Sequence, residues 1–177
     1  MEISEAYRFC PACGVKRDAY ATARPFRCSA CGHTSFFGPV TAVGAVVLNE
    51  HGQVLLIERA KDPGKGKLGM PGGFVDPNEA AEVALRREIR EEVGIEVEDF
   101  AFLMTAPNSY SYQGIVNPVL DIFFQTNIKA GQSILAESSE VSSWMWTDLN
   151  EEVLSNMAFA SNRQALDFYL TTQKHNA

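Results

Sequence analysis

Apolar residues in this chain fall into a few short runs separated by polar, glycine-rich breaks. The runs "VTAVGAVVL" and "QVLLIERA" are rich in Val, Leu and Ile, and "NEHG" lies between them, so this stretch predicts strand, turn and strand. "KDPGKGKLGMPGG" reads as a loop built on Gly, Pro and Lys. A helix then opens at Asp76 or Asn78 and closes at Gly94, the residue type that usually follows the last helical turn. Beyond it come the apolar run "DFAFLMTA", a loop "PNSYSYQGIVN", a strand "PVLDIFFQTNI", a loop "AGQSILAESSEVS" and a short strand "SWMWTDL". The C-terminal stretch reads as helical, with an intermittent apolar face at Val153, Leu154, Met157, Ala158, Ala165, Leu166 and Tyr169. Strands, a helix, more strands and a final helix make a mixed α/β domain.

With 177 residues, 46 % of them hydrophobic and 21 % charged, the chain has room for one domain and a small appendage. No apolar run approaches the roughly 20 residues a membrane span needs. The N-terminal "MEISEAYRFCPACG" has neither a basic start nor an apolar core, so the expectation is a cytoplasmic protein without a secretory signal. Net charge is −7, which argues against a broad nucleic-acid footprint. Phosphorylated small molecules remain compatible with an acidic site when divalent cations lie between the two.

The predicted helix carries an unusual charge pattern. On a wheel of about 100° per residue, Glu88, Glu91 and Glu92 share one arc of roughly 100° with the half that holds Ala81, Ala84 and Leu85. Arg86, Arg90 and Glu79 lie on the far side. A solvated charge-laced helix would put its acids opposite its apolar stripe, paired with Arg86, Arg87 and Arg90. Here the acids point toward the body of the domain, where burying them without partners is very costly. The preceding "MPGG" turn is expected to feed a helix start whose N–H groups favour anions, facing whatever cations those acids hold.

Gly73, Glu79, Arg87-Glu88-Ile89, Glu91-Glu92 and Gly94-Ile95 match the box of the Nudix hydrolases at nine defined positions across 23 residues. The chain resembles that family from about Pro39 to Leu149. The resemblance implies an α/β/α sandwich with a mixed sheet and Mg²⁺- or Mn²⁺-dependent hydrolysis of a nucleoside diphosphate linked to another moiety. It implies metal ligation by Glu88, Glu91, Glu92 and the Gly72 carbonyl, with Gly73 beside the substrate. Arg87 would orient the carboxylates and Glu79 would support the helix. A further family carboxylate precedes a Trp-x-x-Leu element; in "EVSSWMWTDL" that is Glu140, a fourth metal ligand or the general base, with Glu137 in reserve. Arg59 stands where relatives bring a cation to substrate phosphate, and Tyr110 and Tyr112 are candidates to stack a nucleobase. Lys65 and Lys67 are read as loop lysines.

All four cysteines fall in two CxxCG sequences, Cys10/Cys13 and Cys28/Cys31, separated by 14 residues that include a short candidate hairpin "VKRDAYATARPFR". Paired thiolate turns suit structural Zn²⁺, with His33 a bystander. The expected organisation is a zinc ribbon over residues 1–38 and a Nudix domain with a C-terminal helix over 39–177. That pairing resembles the zinc-ribbon subgroup of NADH pyrophosphatases and FAD or ADP-ribose pyrophosphatases, and implies a homodimer. Neither substrate signature of the subgroup is present: "TAPNSYSYQGIVNP" replaces an SQPWPFP-like stretch, and the proline of many ADP-ribose enzymes would fall near Ser111. Cleavage of a nucleotide-type diphosphate into two monophosphates is the leading expectation. The alternative is a non-catalytic nucleotide sensor or a nucleic-acid-binding regulator that uses the ribbon, where Lys16, Arg17, Arg24 and Arg27 are basic.

Overall fold

A computed structural model describes residues 1–17, 25–129 and 131–176, with side chains to Lys174. In chain order the elements are α1 (Ile3–Ala6), β1 (Phe26–Arg27), β2 (Thr34–Ser35), β3 (Val40–Leu48), β4 (Val54–Arg59), β5 (Leu68–Gly69), α2 (Ala81–Val93), β6 (Ala101–Tyr112), β7 (Ile115–Asn127), β8 (Val141–Thr147), α3 (Glu151–Ser155) and α4 (Ala160–Asn176). The chain divides into two compact units: residues 1–40 with 109–118, and residues 41–108 with 119–177.

In the larger unit, strand periodicity assigns side chains to two faces. Along β3, Val43, Ala45 and Val47 join one core, while Val46 and Leu48 join the other. Along β4, Leu55 and Ile57 go with the first set and Val54 and Leu56 with the second. Successive side chains on a strand point to opposite faces, so these are the two sides of one sheet. The α2 residues Ala84, Leu85, Ile89 and Val93, all fully buried, cover the first side. Leu154 of α3, with Met157 and the α4 residues Ala165, Leu166 and Tyr169, covers the second. Helices on both faces of a sheet make the α/β/α sandwich of a mixed α/β protein. The six strands run in the order β5-β4-β3-β7-β6, with β8 antiparallel to β4.

Several predicted boundaries shift. Helix α2 begins at Ala81 rather than at Asp76 or Asn78. Asn78 takes φ +66°, and Glu79 closes a turn on Asp76, its amide bonding the Asp76 carbonyl at 3.1 Å. A residue in that conformation cannot sit in a right-handed helix. The "MPGG" turn therefore does not feed the helix directly. The predicted loop "PNSYSYQGIVN" is instead extended backbone joining β6 to β7 through a tight turn at Gln113-Gly114. Both turn residues take positive φ, the geometry that matches hairpin twist. Backbone pairing can fix strands without the apolar alternation that sequence reading relies on. The C-terminal region is two helices, because Asn156 ends α3 before Ala160 begins α4.

In the smaller unit, Cys10, Phe26 and Cys28 form a minimal core with Phe37 packed on it. The N-terminus is tied to the β6–β7 turn: the Met1 amino group donates to the Gly114 carbonyl at 3.0 Å, and the Val116 amide donates to the Met1 carbonyl at 2.7 Å. The expected hairpin between the cysteine pairs falls largely on residues 18–24, outside the described residues.

Leu85 lies at the centre of the α2 face, so Leu85→Ala is expected to lower the unfolding free energy by about 2–5 kcal/mol in urea titrations. Val83→Ala, on the exposed side of the same helix, should change it by less than about 0.5 kcal/mol.

Candidate metal and phosphate site

The loop before α2 runs along β3. The Ala45 amide bonds the Pro71 carbonyl at 3.0 Å, the Val43 amide bonds the Gly73 carbonyl at 2.8 Å, and the Val75 amide bonds the Thr41 carbonyl at 3.0 Å. This pairing demands glycine. At Gly72, with φ +147°, a Cβ would lie 2.1 Å from the Val43 carbonyl oxygen. At Gly73 it would lie 2.5 Å from Oε1 of Glu88. The bare Gly73 thus leaves room for the Glu88 carboxylate, and the bare Gly72 lets the loop lie against β3. Glu92 accepts a hydrogen bond from the Gly72 amide at 2.9 Å.

Arg87 organises the remaining acids. Its Nε and Nη2 donate to the two oxygens of Glu79 at 3.0 and 2.9 Å, a paired contact that fixes the plane of the guanidinium. Its Nη1 donates to Glu88 at 2.8 Å and to Glu91 at 3.3 Å, and Nη2 also reaches the Phe74 carbonyl at 3.0 Å. Glu79 lies in the turn ahead of the helix, where its Oε2 also accepts from the Asp76 amide at 3.0 Å. That is why the wheel, which put Glu79 on the far side, misplaced it. The Arg87 hydrogen bonds, helped by the Asp76 amide, hold the Glu79 carboxyl below its usual range.

The three box glutamates occupy different environments. Glu92 is buried, the Glu88 side chain is 14 % exposed, and the Glu91 side chain is 57 % exposed. Burial pushes the Glu92 carboxyl up to about 8; the Gly72 amide and Arg59 act against this rise, and the charges of Glu88 and Glu140 add to it. Burial also raises Glu88, against the pull of Arg87. Glu88 and Glu92 are thus desolvated while Glu91 stands toward solvent, so the expectation that all three acids face the body of the domain holds for two of them. Carboxylate oxygens are the donor type that suits Mg²⁺ or Mn²⁺, but among the described residues the convergent set, with donor atoms within 4.8 Å of one another, is that of the four cysteines.

Glu140 and Arg59 come to the same place from the other side of the unit. The β4–β8 ladder shifts register between Glu58 and Arg59, and beyond the shift the Ala60 amide bonds the Glu140 carbonyl at 2.9 Å. Lys61 Nζ donates to Glu140 Oε1 at 2.8 Å. Lys61 escaped the sequence reading because its partner is 79 residues away. Glu137 spends its side chain on its own turn, accepting from the Ser139 amide at 3.0 Å. The Arg59 guanidinium stacks 5.0 Å over Phe159, and its Nε donates to the Pro63 carbonyl at 2.8 Å. Phe159 is a second contributor that sequence periodicity could not single out. Tyr110, half-buried, and Tyr112, exposed, belong to the smaller unit.

In that smaller unit the two cysteine pairs form matching turns. Cys10 N–H bonds the Val15 carbonyl and Gly14 N–H bonds the Cys10 carbonyl; Cys28 with His33 and Gly32 with Cys28 repeat the pattern at the same 2.8 and 2.9 Å. The four sulfurs lie within 4.8 Å of one another, with Cys10–Cys31 and Cys13–Cys28 each at 3.7 Å. A tetrahedral ion with bonds of about 2.3 Å spaces its sulfurs by about 3.8 Å, so the set fits Zn²⁺. The Cys31 amide first, then that of Ala30, pulls the Cys28 thiol down to about 7. His33 Nε2 meets the Ser35 hydroxyl at 3.1 Å and lies outside the sulfur cluster.

A Nudix domain model matches residues 38–168, so the chain belongs to the Nudix family. Among curated relatives, it is similar to the NAD-capped RNA hydrolase NudC of Stutzerimonas stutzeri, 29 % identical over 93 % of this chain and 54 % of that protein. NudC of Deinococcus radiodurans is 26 % identical over 97 % of this chain and 60 % of its own length. The chain thus spans little more than half of these relatives. Among solved structures, a MutT Nudix hydrolase from Burkholderia pseudomallei superposes with a TM-score of 0.61 at 27 % identity, over 73 % of this chain and 97 % of that one. A Nudix hydrolase from Nitrosomonas europaea gives 0.67 over 95 % and 93 % at 23 % identity, a likeness of fold.

Gly73→Ala should push Glu88 aside and weaken Mn²⁺ binding at least about tenfold in a calorimetric titration, because ligand placement tolerates little error. Cys28→Ser should abolish retention of one zinc per chain, read by elemental analysis, and lower thermal stability, since structural zinc contributes on the order of 10 kcal/mol to folding such modules.

Proposed function

We propose that this chain is a divalent-metal-dependent pyrophosphohydrolase. It would cleave the diphosphate bond of a nucleoside diphosphate linked to another moiety and release two monophosphates. The observation that carries this reading is the buried acid cluster of Glu88 and Glu92, with Glu91 at its rim, organised by Arg87 and pressed against loop backbone at Gly72 and Gly73. In this reading Glu88, Glu91, Glu92 and the Gly72 carbonyl hold Mg²⁺ or Mn²⁺. When bound, such ions neutralise phosphate oxygens and lower the pKa of bound water. Arg87, itself fixed by Glu79, keeps the acids in place. Arg59 offers its guanidinium to a phosphate oxygen, with Gly73 beside the substrate. Glu140 takes the proton of the attacking water as the new P–O bond forms and the bridging P–O bond breaks.

The substrate class follows from less. The NudC relatives favour an NAD-type dinucleotide, with the cap of an RNA as a larger version of the same bond. The ribbon would hold one structural Zn²⁺. A regulatory module lacking chemistry is disfavoured by a box in which every defined position is intact.

The test is a panel of NADH, ADP-ribose, FAD, nucleotide sugars and NAD-capped RNA with Mg²⁺ or Mn²⁺, products resolved by chromatography. Two monophosphates from NADH are the expected result, and no turnover of any member would overturn the proposal. Glu91→Gln replaces a half-exposed side chain, so the fold should survive while kcat falls about a thousandfold or more, matching several kcal/mol of lost stabilisation.

A further inference from the structure

We propose that Lys61 is a positioning residue for this hydrolysis: its ammonium holds Glu140 at the rim of the acid cluster, keeping it a proton acceptor and preventing it from becoming a fourth carboxylate ligand of the cations. The inference rests on the reaction proposed above and decides which of two roles Glu140 has within it.

The geometry comes from the β4–β8 ladder. Regular pairing runs from Val54↔Thr147 to Glu58↔Ser143, then slips, so that Arg59 pairs with Val141. Past the slip, the Ala60 amide and the Glu140 carbonyl close the end of the ladder at 2.9 Å. The next side chain, Lys61, meets Glu140 Oε1 at 2.8 Å. Both partners are about half exposed, at 57 % and 48 %. An exposed pair of this kind adds little to stability. What it does is restrain a carboxylate whose charge reaches both Glu88 and Glu92. Those two acids lie on α2 and are organised by Gly72 and Arg87, whereas Glu140 is organised by Lys61. A fixed positive charge on Oε1 competes with a divalent cation for that oxygen. Glu137, on the turn before Glu140, also feels Lys61, but its side chain is engaged with Ser139.

The experiment compares wild type, Lys61→Met, Lys61→Arg, Glu140→Gln and the double variant Lys61→Met/Glu140→Gln. It uses steady-state hydrolysis of NADH at saturating Mg²⁺, and Mn²⁺ binding by electron paramagnetic resonance without substrate. Lys61→Met is expected to lower kcat about tenfold to a hundredfold with KM changed less than about threefold, the cost of a misplaced catalytic group. Lys61→Arg should recover most of that loss. In the Glu140→Gln background, Lys61→Met should add nothing, since residues acting as one unit are not additive. Glu140→Gln alone should leave Mn²⁺ affinity within about threefold, as expected for a group outside the coordination sphere. Lys61→Met should tighten Mn²⁺ more when Glu140 is present than when it is Gln.

Mn²⁺ affinity falling more than about tenfold in Glu140→Gln would overturn the inference, because ligand loss has that size. So would a raised KM at unchanged kcat in Lys61→Met, which would make Lys61 a direct phosphate contact. Full activity in Glu140→Gln would instead remove the base assigned under the proposed reaction. A dead Glu140→Gln beside a fully active Lys61→Met would sink only the role of Lys61.

Discussion

The structure turns on one constraint: Glu88 and Glu92 crowd the inward side of a helix, and a glycine loop and Arg87 hold them there. Desolvation works against the charges of Glu88 and Glu92. Glu92 withdraws from solvent because the Gly72 amide meets it, and Gly72 can do so only because no Cβ intrudes on β3. Arg87 then neutralises what the loop does not reach, spreading its donors over Glu79, Glu88, Glu91 and the Phe74 carbonyl. The sheet supplies the platform. Its first face is sealed by Ala84, Leu85, Ile89 and Val93, which set the rotation of α2 and so decide which glutamates turn inward.

The two compact units meet their demands differently. The larger one has two apolar cores, one on each side of its sheet, and is stabilised as globular domains usually are. The smaller one has a core of Cys10, Phe26 and Cys28 with little else behind it. A segment that buries so little apolar surface relies on cross-links, and four convergent sulfurs are the means available here. The two units thus gather donor atoms of two chemical kinds, carboxylate oxygens beside α2 in the larger and four sulfurs in the smaller.

Local signals in the sequence were read correctly where local chemistry decides. Gly94 ends α2 as expected, with its amide bonded to the Arg90 carbonyl at 3.0 Å. The apolar runs became β3, β4 and β7, and the CxxCG pairs became matched turns. The polar stretch around Tyr110 and Tyr112 carries no alternation that marks a strand, and its extended form comes from pairing between β6 and β7. Asp76 and Asn78 are residue types that open helices, yet α2 starts only at Ala81 because Asn78 takes a positive φ and the Glu79 amide closes a turn on Asp76.

The box, its acidic residues, the two CxxCG pairs and most of the order of strands and helices are legible along the chain, because each depends on neighbours within one or two turns of chain. Tertiary structure decided how deeply each glutamate is buried, that Glu79 reaches Arg87 from outside the helix, and that Lys61 grips Glu140 across 79 residues. Those outcomes follow from sheet register and from the packing of α2, and both are set by contacts between residues far apart along the chain.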